Sequence, residues 1–150
     1  LQVYNSSLEK IIVTVIVEIQ CICFGGAFDM VTACDIRLAT AKAFFCIQEI
    51  NIGMAADVGT LQRLPRLIPD SKMRELAYTG RRMYADEAKS SGLVSDTYDS
   101  QEDMLAAAKE LAEQIASKSP IAIHGLKDVM NYSRDHTIEE SLDVSGEMSG

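Results

Sequence analysis

Residues 25–63 read GGAFDMVTACDIRLATAKAFFCIQEINIGMAADVGTLQR, and this stretch decides the fold. A glycine pair ahead of a short apolar run is typical of a sharp turn from a strand into a helix, because glycine lacks the Cβ that forbids unusual backbone angles. Two short apolar runs follow, at residues 35–39 and 43–47, and they predict two further strands. The order strand, helix, strand is typical of an α/β layer, so we predict an α/β fold.

Three carboxylates in this stretch, Asp29, Glu49 and Asp57, stand among apolar and small residues rather than in a charged run. Acid–base chemistry at carbon requires one group that takes a proton and another that returns it, and carboxylates brought together in a pocket can share that work. We therefore identify Asp29, Glu49 and Asp57 as candidate catalytic residues.

Each of these acids also has an ordinary structural interpretation. Asp29 falls in the first turn of the predicted helix, where the helix dipole favours a carboxylate by about 0.3–1 kcal/mol. Asp57 precedes another predicted helix and can act as its N-cap. Glu49 can be a solvated loop residue at the end of a strand. The residues alone leave these alternatives open.

The glycine pair has a possible chemical role as well as a conformational one. Free N–H groups and the positive end of the helix dipole meet at a helix start, where they can hold a developing negative oxygen. Gly25-Gly26 can thus supply part of an oxyanion hole, and the alternative is a tight turn with no chemical role.

Composition restricts the partners of the chain. The 150 residues suffice for one domain with a core, and 47% of them are hydrophobic. The formal charge of −8 disfavours nucleic acid and acidic lipid surfaces as partners. The histidines are far apart, so we expect no metal site, and the four cysteines, which form no C-x-x-C pair, are predicted to be reduced and buried (Cys21, Cys23, Cys34 and Cys46).

The remaining elements follow from periodicity and from glycine and proline. Residues 2–10 predict the end of a helix, and the apolar run 11–22, which is too short to span a membrane, predicts one buried strand. Leu93-Val94 predicts at most a strand stub. The predicted helices are 58–68 with a kink at Pro65, 71–79 ending at Gly80, 86–92, 101–118, 120–132 beginning at Pro120, and a last one from Thr137 to Gly150.

Several motifs together resemble the crotonase superfamily of acyl-CoA hydratases and isomerases, over about residues 16–148. These are Gly25-Gly26-x-x-Asp29, Ala33-Cys34-Asp35-Ile36-Arg37, Ala43-Phe44-Phe45, Asn51-Ile52-Gly53, Gly59 and Leu64-Pro65-Arg66. Within that superfamily the chain is most similar to the Δ3,5-Δ2,4-dienoyl-CoA isomerase branch, through residues 31–37, 55–65, 132–136 and 140–142.

The resemblance implies a fold and a set of roles. The fold is a crotonase-like ββα spiral, of which residues 1–150 form the C-terminal portion of a single domain, with a spiral core to about residue 68 and a helical trimerisation region over about 69–150. By resemblance, the N–H of Gly26 binds the thioester oxygen, while Glu49 and Asp57 move protons between C2 and C6 of a dienoyl chain. Asp29 lines the same pocket. No metal or redox cofactor is implied, and CoA is part of the substrate.

The chain departs from the family pattern around the glycine turn. Gln20, Cys21 and Ile22 stand where the family usually has a histidine and two glycines, Ala27 replaces the third glycine of the run, and Val13-Thr14 replaces a lysine-proline pair. Family members also have a first half of more than a hundred residues that carries the second oxyanion N–H and much of the CoA site.

The function implied by the resemblance is isomerisation of 3,5-dienoyl-CoA to 2,4-dienoyl-CoA in fatty-acid β-oxidation. The family implies an acyl-CoA thioester as partner, a homo-oligomer that is a trimer or a hexamer, and a mitochondrial or peroxisomal location. One alternative is a non-catalytic or truncated crotonase-like subunit. Another is an enoyl-CoA hydratase, which Asp57 disfavours because hydratases carry a non-acidic residue at that position.

Overall fold

The computed structural model describes the backbone of residues 2–148 and the side chains of residues 2–145. The predicted order of strand, helix and strand is present in the first half, and the α/β class is confirmed, whereas the two strands of the second half, Met83–Tyr84 and Asp96–Tyr98, were not predicted. The helices are α1 (Gln2–Lys10), α2 (Gly26–Thr32), α3 (Thr60–Arg63), α4 (Asp70–Thr79), α5 (Ala85–Ser90), α6 (Gln101–Ala116), α7 (Pro120–Tyr132) and α8 (Ile138–Met148). The strands are β1 (Ile16–Ile19), β2 (Ile22–Phe24), β3 (Ile36–Thr40), β4 (Phe44–Cys46), β5 (Met83–Tyr84) and β6 (Asp96–Tyr98).

The strands form two three-stranded sheets. In the first sheet the order is β1-β3-β6, and all of its strands are parallel. In the second sheet the order is β2-β4-β5, with β2 parallel and β5 antiparallel to β4. Because β5 and β6 come from the helical second half of the chain, that half contributes an outer strand to each sheet.

The prediction of one continuous strand over residues 11–22 is wrong. The run contains two strands, β1 and β2, and they belong to different sheets. The chain bends between them at Gln20 and Cys21, where the carbonyl of Gln20 accepts a hydrogen bond from the Thr40 hydroxyl and the carbonyl of Cys21 accepts one from the N–H of Phe44. Both partners are distant in sequence, so the apolar run, which contains the polar residues Thr14, Glu18 and Gln20, does not by itself indicate this bend.

Proline also changes the helix predicted over residues 58–68. Only the four residues of α3 are α-helical, and a short 3-10 helix, Leu64–Arg66, continues from them. Pro65 lacks the N–H that an α-helix would use, so the helix is shortened here as expected. No strand forms at Leu93-Val94, where at most a stub was predicted: both residues are buried in the core, and β6 begins two residues later at Asp96.

The main core lies against the second sheet. Phe28 of α2 and Phe45 of β4 are both fully buried, with ring centroids 5.5 Å apart. Helices α4 and α5 close this core with Leu76 and Ala88. A smaller apolar cluster forms where α6 packs on the first sheet (Leu38, Met104 and Ala108). The main core therefore packs α2 against the second sheet.

The C-terminal helices follow their local signals closely. α4 ends at Gly80, which has a left-handed φ of 58°, and α7 begins at Pro120 after the capping Ser119. α8 begins one residue after the predicted start, and its predicted continuation to Gly150 lies outside the described residues. No helix within residues 2–148 is both long enough and apolar enough to cross a membrane.

An ion network joins α4 and α5. Arg81 donates hydrogen bonds to both carboxylate oxygens of Glu87, at 2.8 and 2.6 Å, and Lys72 lies 2.9 Å from the same carboxylate. The hydrogen bonds from Arg81, with a smaller contribution from Lys72, lower the pKa of Glu87 to about 2. The folded state therefore favours the ionised form of Glu87 more than the unfolded chain does.

This network predicts an acid-dependent loss of stability. A depressed pKa stabilises the fold fully above the ordinary glutamate value and progressively less as the pH falls from about 4.5 towards 2. We expect Glu87→Gln to cost about 1 kcal/mol of unfolding free energy at pH 7, since solvent screens this partly exposed network. The cost should disappear near pH 2, as measured by urea unfolding at a series of pH values.

The matched control is Glu113→Gln, whose carboxylate lies 3.8 Å from Lys109 in an exposed pair. That variant should unfold like the parent at every pH. If the loss of unfolding free energy in Glu87→Gln stayed constant between pH 7 and pH 2, the electrostatic explanation would be contradicted.

Candidate active site

The glycine turn between β2 and α2 has the predicted form. Gly25 has a φ of 54°, which favours glycine, and its N–H donates a hydrogen bond to the carbonyl of Cys46 at 3.3 Å. Its own carbonyl accepts hydrogen bonds from the N–H groups of Phe28 and Asp29. Gly26 is the exposed first residue of α2, where a backbone N–H has no acceptor inside the helix. The turn thus leaves the N–H of Gly26 at an exposed position without an acceptor inside the helix.

Glu49 approaches this turn from the neighbouring strand. It lies in the 3-10 helix Gln48–Ile52, which directly follows β4 and its pairing with β2. The half-buried Glu49 places Oε1 3.2 Å from the position that a Cβ on Gly25 would occupy. In the described part of the chain its carboxylate makes no hydrogen bond or ion pair. Glu49 is therefore available for proton transfer beside the candidate oxyanion turn.

Asp57 lies on an exposed loop before α3. The N-cap interpretation of Asp57 is wrong, because Gly59 occupies the N-cap position and no side chain caps the helix from there. No residue among 2–145 forms a hydrogen bond or an ion pair with the Asp57 carboxylate. Asp57, like Glu49, therefore has a carboxylate without a structural contact among these residues.

Asp29 has a structural contact that its sequence position did not indicate. Its side chain is 1% exposed, and Oδ1 accepts a hydrogen bond of 2.7 Å from the N–H of Thr60, the first residue of α3. Asp29 therefore caps α3 from a different helix and ties α2 to the loop that carries Asp57. Its other oxygen, Oδ2, is buried without a hydrogen-bond partner among the described residues. The pocket-lining role of Asp29 stays a prediction.

The structure thus connects the predicted residues through α2. At its N-terminal end Glu49 lies against the glycine turn, and one turn further along Asp29 holds the end of the Asp57 loop. A cavity of about 360 Å³ lies beside both carboxylate-bearing segments, but the residues that line it do not include Asp29, Glu49 or Asp57. Its walls are mainly apolar and come from the segments around Glu49 and Asp57 and from α4 (Ile47, Ile50, Met54, Ala55, Met73 and Tyr78). The α4 residues were not identified from the sequence.

The cysteines and histidines lie outside this arrangement. Among the described residues no group of three metal-ligating side chains is close enough to hold an ion. The prediction that the cysteines are buried holds for Cys23, Cys34 and Cys46, whereas Cys21 is exposed. Burial raises the pKa of the Cys23 thiol to about 12, so this sulfur stays protonated and unreactive at neutral pH.

Comparison with known proteins agrees with this architecture. The sequence model of the enoyl-CoA hydratase/isomerase family matches residues 2–149. The chain is 51% identical over 137 residues to the mitochondrial Δ(3,5)-Δ(2,4)-dienoyl-CoA isomerase of Rattus norvegicus, covering 91% of this chain and 42% of the relative. It is 41% identical over 143 residues to the peroxisomal enzyme of that name from Arabidopsis thaliana, covering 95% and 51%.

Solved structures show the same fold. The crystal structure of an enoyl-CoA hydratase from Bacillus anthracis superposes with a TM-score of 0.94 at 32% identity, covering 99% of this chain and 57% of that one. The chain spans about half the length of the relatives that it matches. The resemblance seen in its motifs is confirmed, and the chain belongs to the enoyl-CoA hydratase/isomerase family, with the crotonase fold.

Proposed function

We propose that this chain is part of an isomerase that converts 3,5-dienoyl-CoA to 2,4-dienoyl-CoA in fatty-acid β-oxidation. The observation that carries the proposal is a pair of carboxylates without structural partners among the described residues, Glu49 in the 3-10 helix after β4 and Asp57 in the loop before α3. Neighbours of both residues line an apolar cavity. The similarity to isomerases of that name supports it.

The reaction removes one proton from the acyl chain of the substrate and adds one proton at another carbon of it. One carboxylate removes a proton from C2, and the electron pair shifts into the thioester to give an enolate conjugated through C6. The other acid, which enters the reaction protonated, delivers its proton to C6 and becomes a carboxylate, and this leaves double bonds at C2 and C4. No electrons are gained or lost, so the reaction needs no redox cofactor.

Gly26 stabilises the intermediate of this reaction. Negative charge develops on the thioester oxygen, and a backbone N–H aimed at that oxygen lowers the barrier because the dipole is already oriented. The first N–H of α2 is suited to this role. Asp29 supports the site by holding Thr60, and with it the loop of Asp57, against α2.

The acyl-CoA thioester is the partner that this chemistry requires, with CoA as part of the substrate. We further propose that the protein acts in mitochondria or peroxisomes, as the relatives are named. Exposed apolar side chains on β2, α7 and α8 support assembly into a homo-oligomer, a trimer or a hexamer (Ile22, Phe24, Ile121, Leu126, Met130 and Leu142).

The test uses the natural polypeptide that contains this chain, supplied with 3,5-dienoyl-CoA and, separately, with a 2-enoyl-CoA. We expect conversion of the dienoyl substrate to the conjugated 2,4-dienoyl thioester, followed by its ultraviolet absorbance, with little hydration of the enoyl substrate. The 150-residue chain alone, assayed in parallel, shows whether this part suffices for turnover.

Two results would contradict the proposal. Hydration of 2-enoyl-CoA without isomerisation would assign a hydratase. Binding of acyl-CoA with neither reaction would assign a non-catalytic crotonase-like subunit.

A further inference from the structure

Arg63 makes an unusual set of contacts for a residue of a short surface helix. Its side chain is only 13% exposed and folds back over the start of α3. Nη1 donates a hydrogen bond to the carbonyl of Val58 at 3.3 Å, directly after Asp57 in sequence. The guanidinium therefore binds the backbone of the loop that presents one of the two candidate proton-transfer groups.

Gly59 shows how closely this guanidinium approaches the loop. A Cβ built on Gly59 would lie 1.7 Å from Nη1 of Arg63, and Gly59 has a φ of 127°, a value that L side chains rarely adopt. Only a glycine lets the guanidinium lie directly on the backbone here. The loop and the Arg63 side chain are thus fitted to each other.

Glu9 of α1 fixes the other side of the guanidinium. Its carboxylate accepts a hydrogen bond from Nη2 of Arg63 at 3.1 Å and lies 2.9 Å from Nε, while Ser6 accepts a second bond from Nη2 at 3.2 Å. Arg134, just after α7, donates to the same carboxylate at 2.9 Å, and Asn131 donates to the carbonyl of Glu9 at 2.8 Å. Glu9 is therefore held by α7 and the turn that follows it while it holds Arg63.

We propose that Arg63, anchored by Glu9, is a positioning residue that fixes the loop of Asp57 for proton transfer. This inference rests on the proposed function, since it assigns Arg63 a role in presenting Asp57. The planar guanidinium suits the role because it can bind a carbonyl, a hydroxyl and a carboxylate at once, which the single ammonium of lysine cannot do in the same geometry.

Two measurements test the proposal on the natural polypeptide. Hydrogen–deuterium exchange reports the mobility of residues 54–60 whatever the protein catalyses, and dienoyl isomerisation reports kcat and KM. In Arg63→Gln and in Glu9→Gln we expect amide exchange in residues 54–60 to rise about tenfold, with no change in α6. We expect kcat to fall about tenfold and KM to stay within about twofold, because misplacing a catalytic group affects turnover more than binding.

Further variants separate positioning from general destabilisation. Arg63→Lys should give intermediate losses, and the double variant should be little worse than Arg63→Gln alone, since both residues act through one contact. The control, Lys89→Gln, removes the exposed ion pair between Lys89 and Asp96 and should change neither readout.

The outcomes distinguish this inference from the proposed function. We call the contact of Arg63 with the loop of Asp57 the clamp. If the parent does not isomerise dienoyl-CoA but amide exchange in residues 54–60 rises in both variants, the proposed function fails and the clamp is supported. Unchanged exchange in both variants overturns the clamp. Faster exchange with an unchanged kcat, in a parent that is an active isomerase, overturns the positioning role.

Discussion

Replacement of Asp57 by asparagine should lower dienoyl isomerisation by about 10²–10⁴-fold in the natural polypeptide, and Glu49→Gln should have an effect of similar size. Each change keeps the shape of the side chain while it removes the group that exchanges a proton. Affinity for the acyl-CoA should change little, because neither carboxylate is needed to hold the thioester. Steady-state kinetics and ligand titration measure the two quantities separately.

The combination of the two changes gives a sharper test than either alone. With one acid lost the proton relay is already broken, so the double variant should be hardly slower than the worse single variant. Stability should stay constant, because Asp57 does not cap α3 and forms no ion pair within residues 2–145. The exposed Asp99→Asn serves as the control. An Asp57→Asn variant with full activity would end the assignment of Asp57.

Replacement of Phe45 by alanine should have the largest effect on stability, about 3–5 kcal/mol of unfolding free energy. Phe45 is completely buried in β4, and its ring packs on Phe28 of α2, so truncation leaves a cavity under the helix that carries Gly26 and Asp29. Urea unfolding monitored by far-ultraviolet circular dichroism measures the loss. If the alanine variant does not fold, Phe45→Leu should show a smaller loss from the same cause.

The neighbouring residue provides the matched control. Phe44 lies in the same strand but is half-buried, with the Arg82 guanidinium 4.3 Å from its ring centroid. Because less area is buried there, Phe44→Ala should cost only about 1–2 kcal/mol. Equal losses at the two positions would show that the strand, rather than the packing of α2 on it, determines the effect.

Features that depend on residues close in sequence were predicted correctly, whereas features that depend on distant residues were missed. α7 begins and ends at the predicted residues, and α4 ends at Gly80, because proline at a helix start and glycine after a helix end act within a few residues. The bend at Gln20 and Cys21 was missed since it depends on Thr40 and Phe44. A hydrophobic pattern does not record which sheet a strand joins.

The same distinction applies to the candidate site. The glycine turn was predicted because its conformation is local, whereas the contact between Glu49 and that turn requires β4 to pair with β2. The hydrogen bond from Thr60 to Asp29 and the contact between Glu9 and Arg63 likewise join distant segments. Sequence identified the candidate chemical groups, and tertiary pairing determines which of them are free to react.

The sheet topology also has a consequence for how the chain folds. Neither sheet contains a hairpin: in each pair, at least one other helix or strand separates the two strands in sequence. Closing such long loops costs conformational entropy before the strand contacts form. Proteins dominated by contacts between distant residues fold in roughly milliseconds to seconds rather than microseconds. Local helices such as α6 and α7 do not depend on this slow step, whereas the contact of Glu49 with the glycine turn requires β2 and β4 to pair.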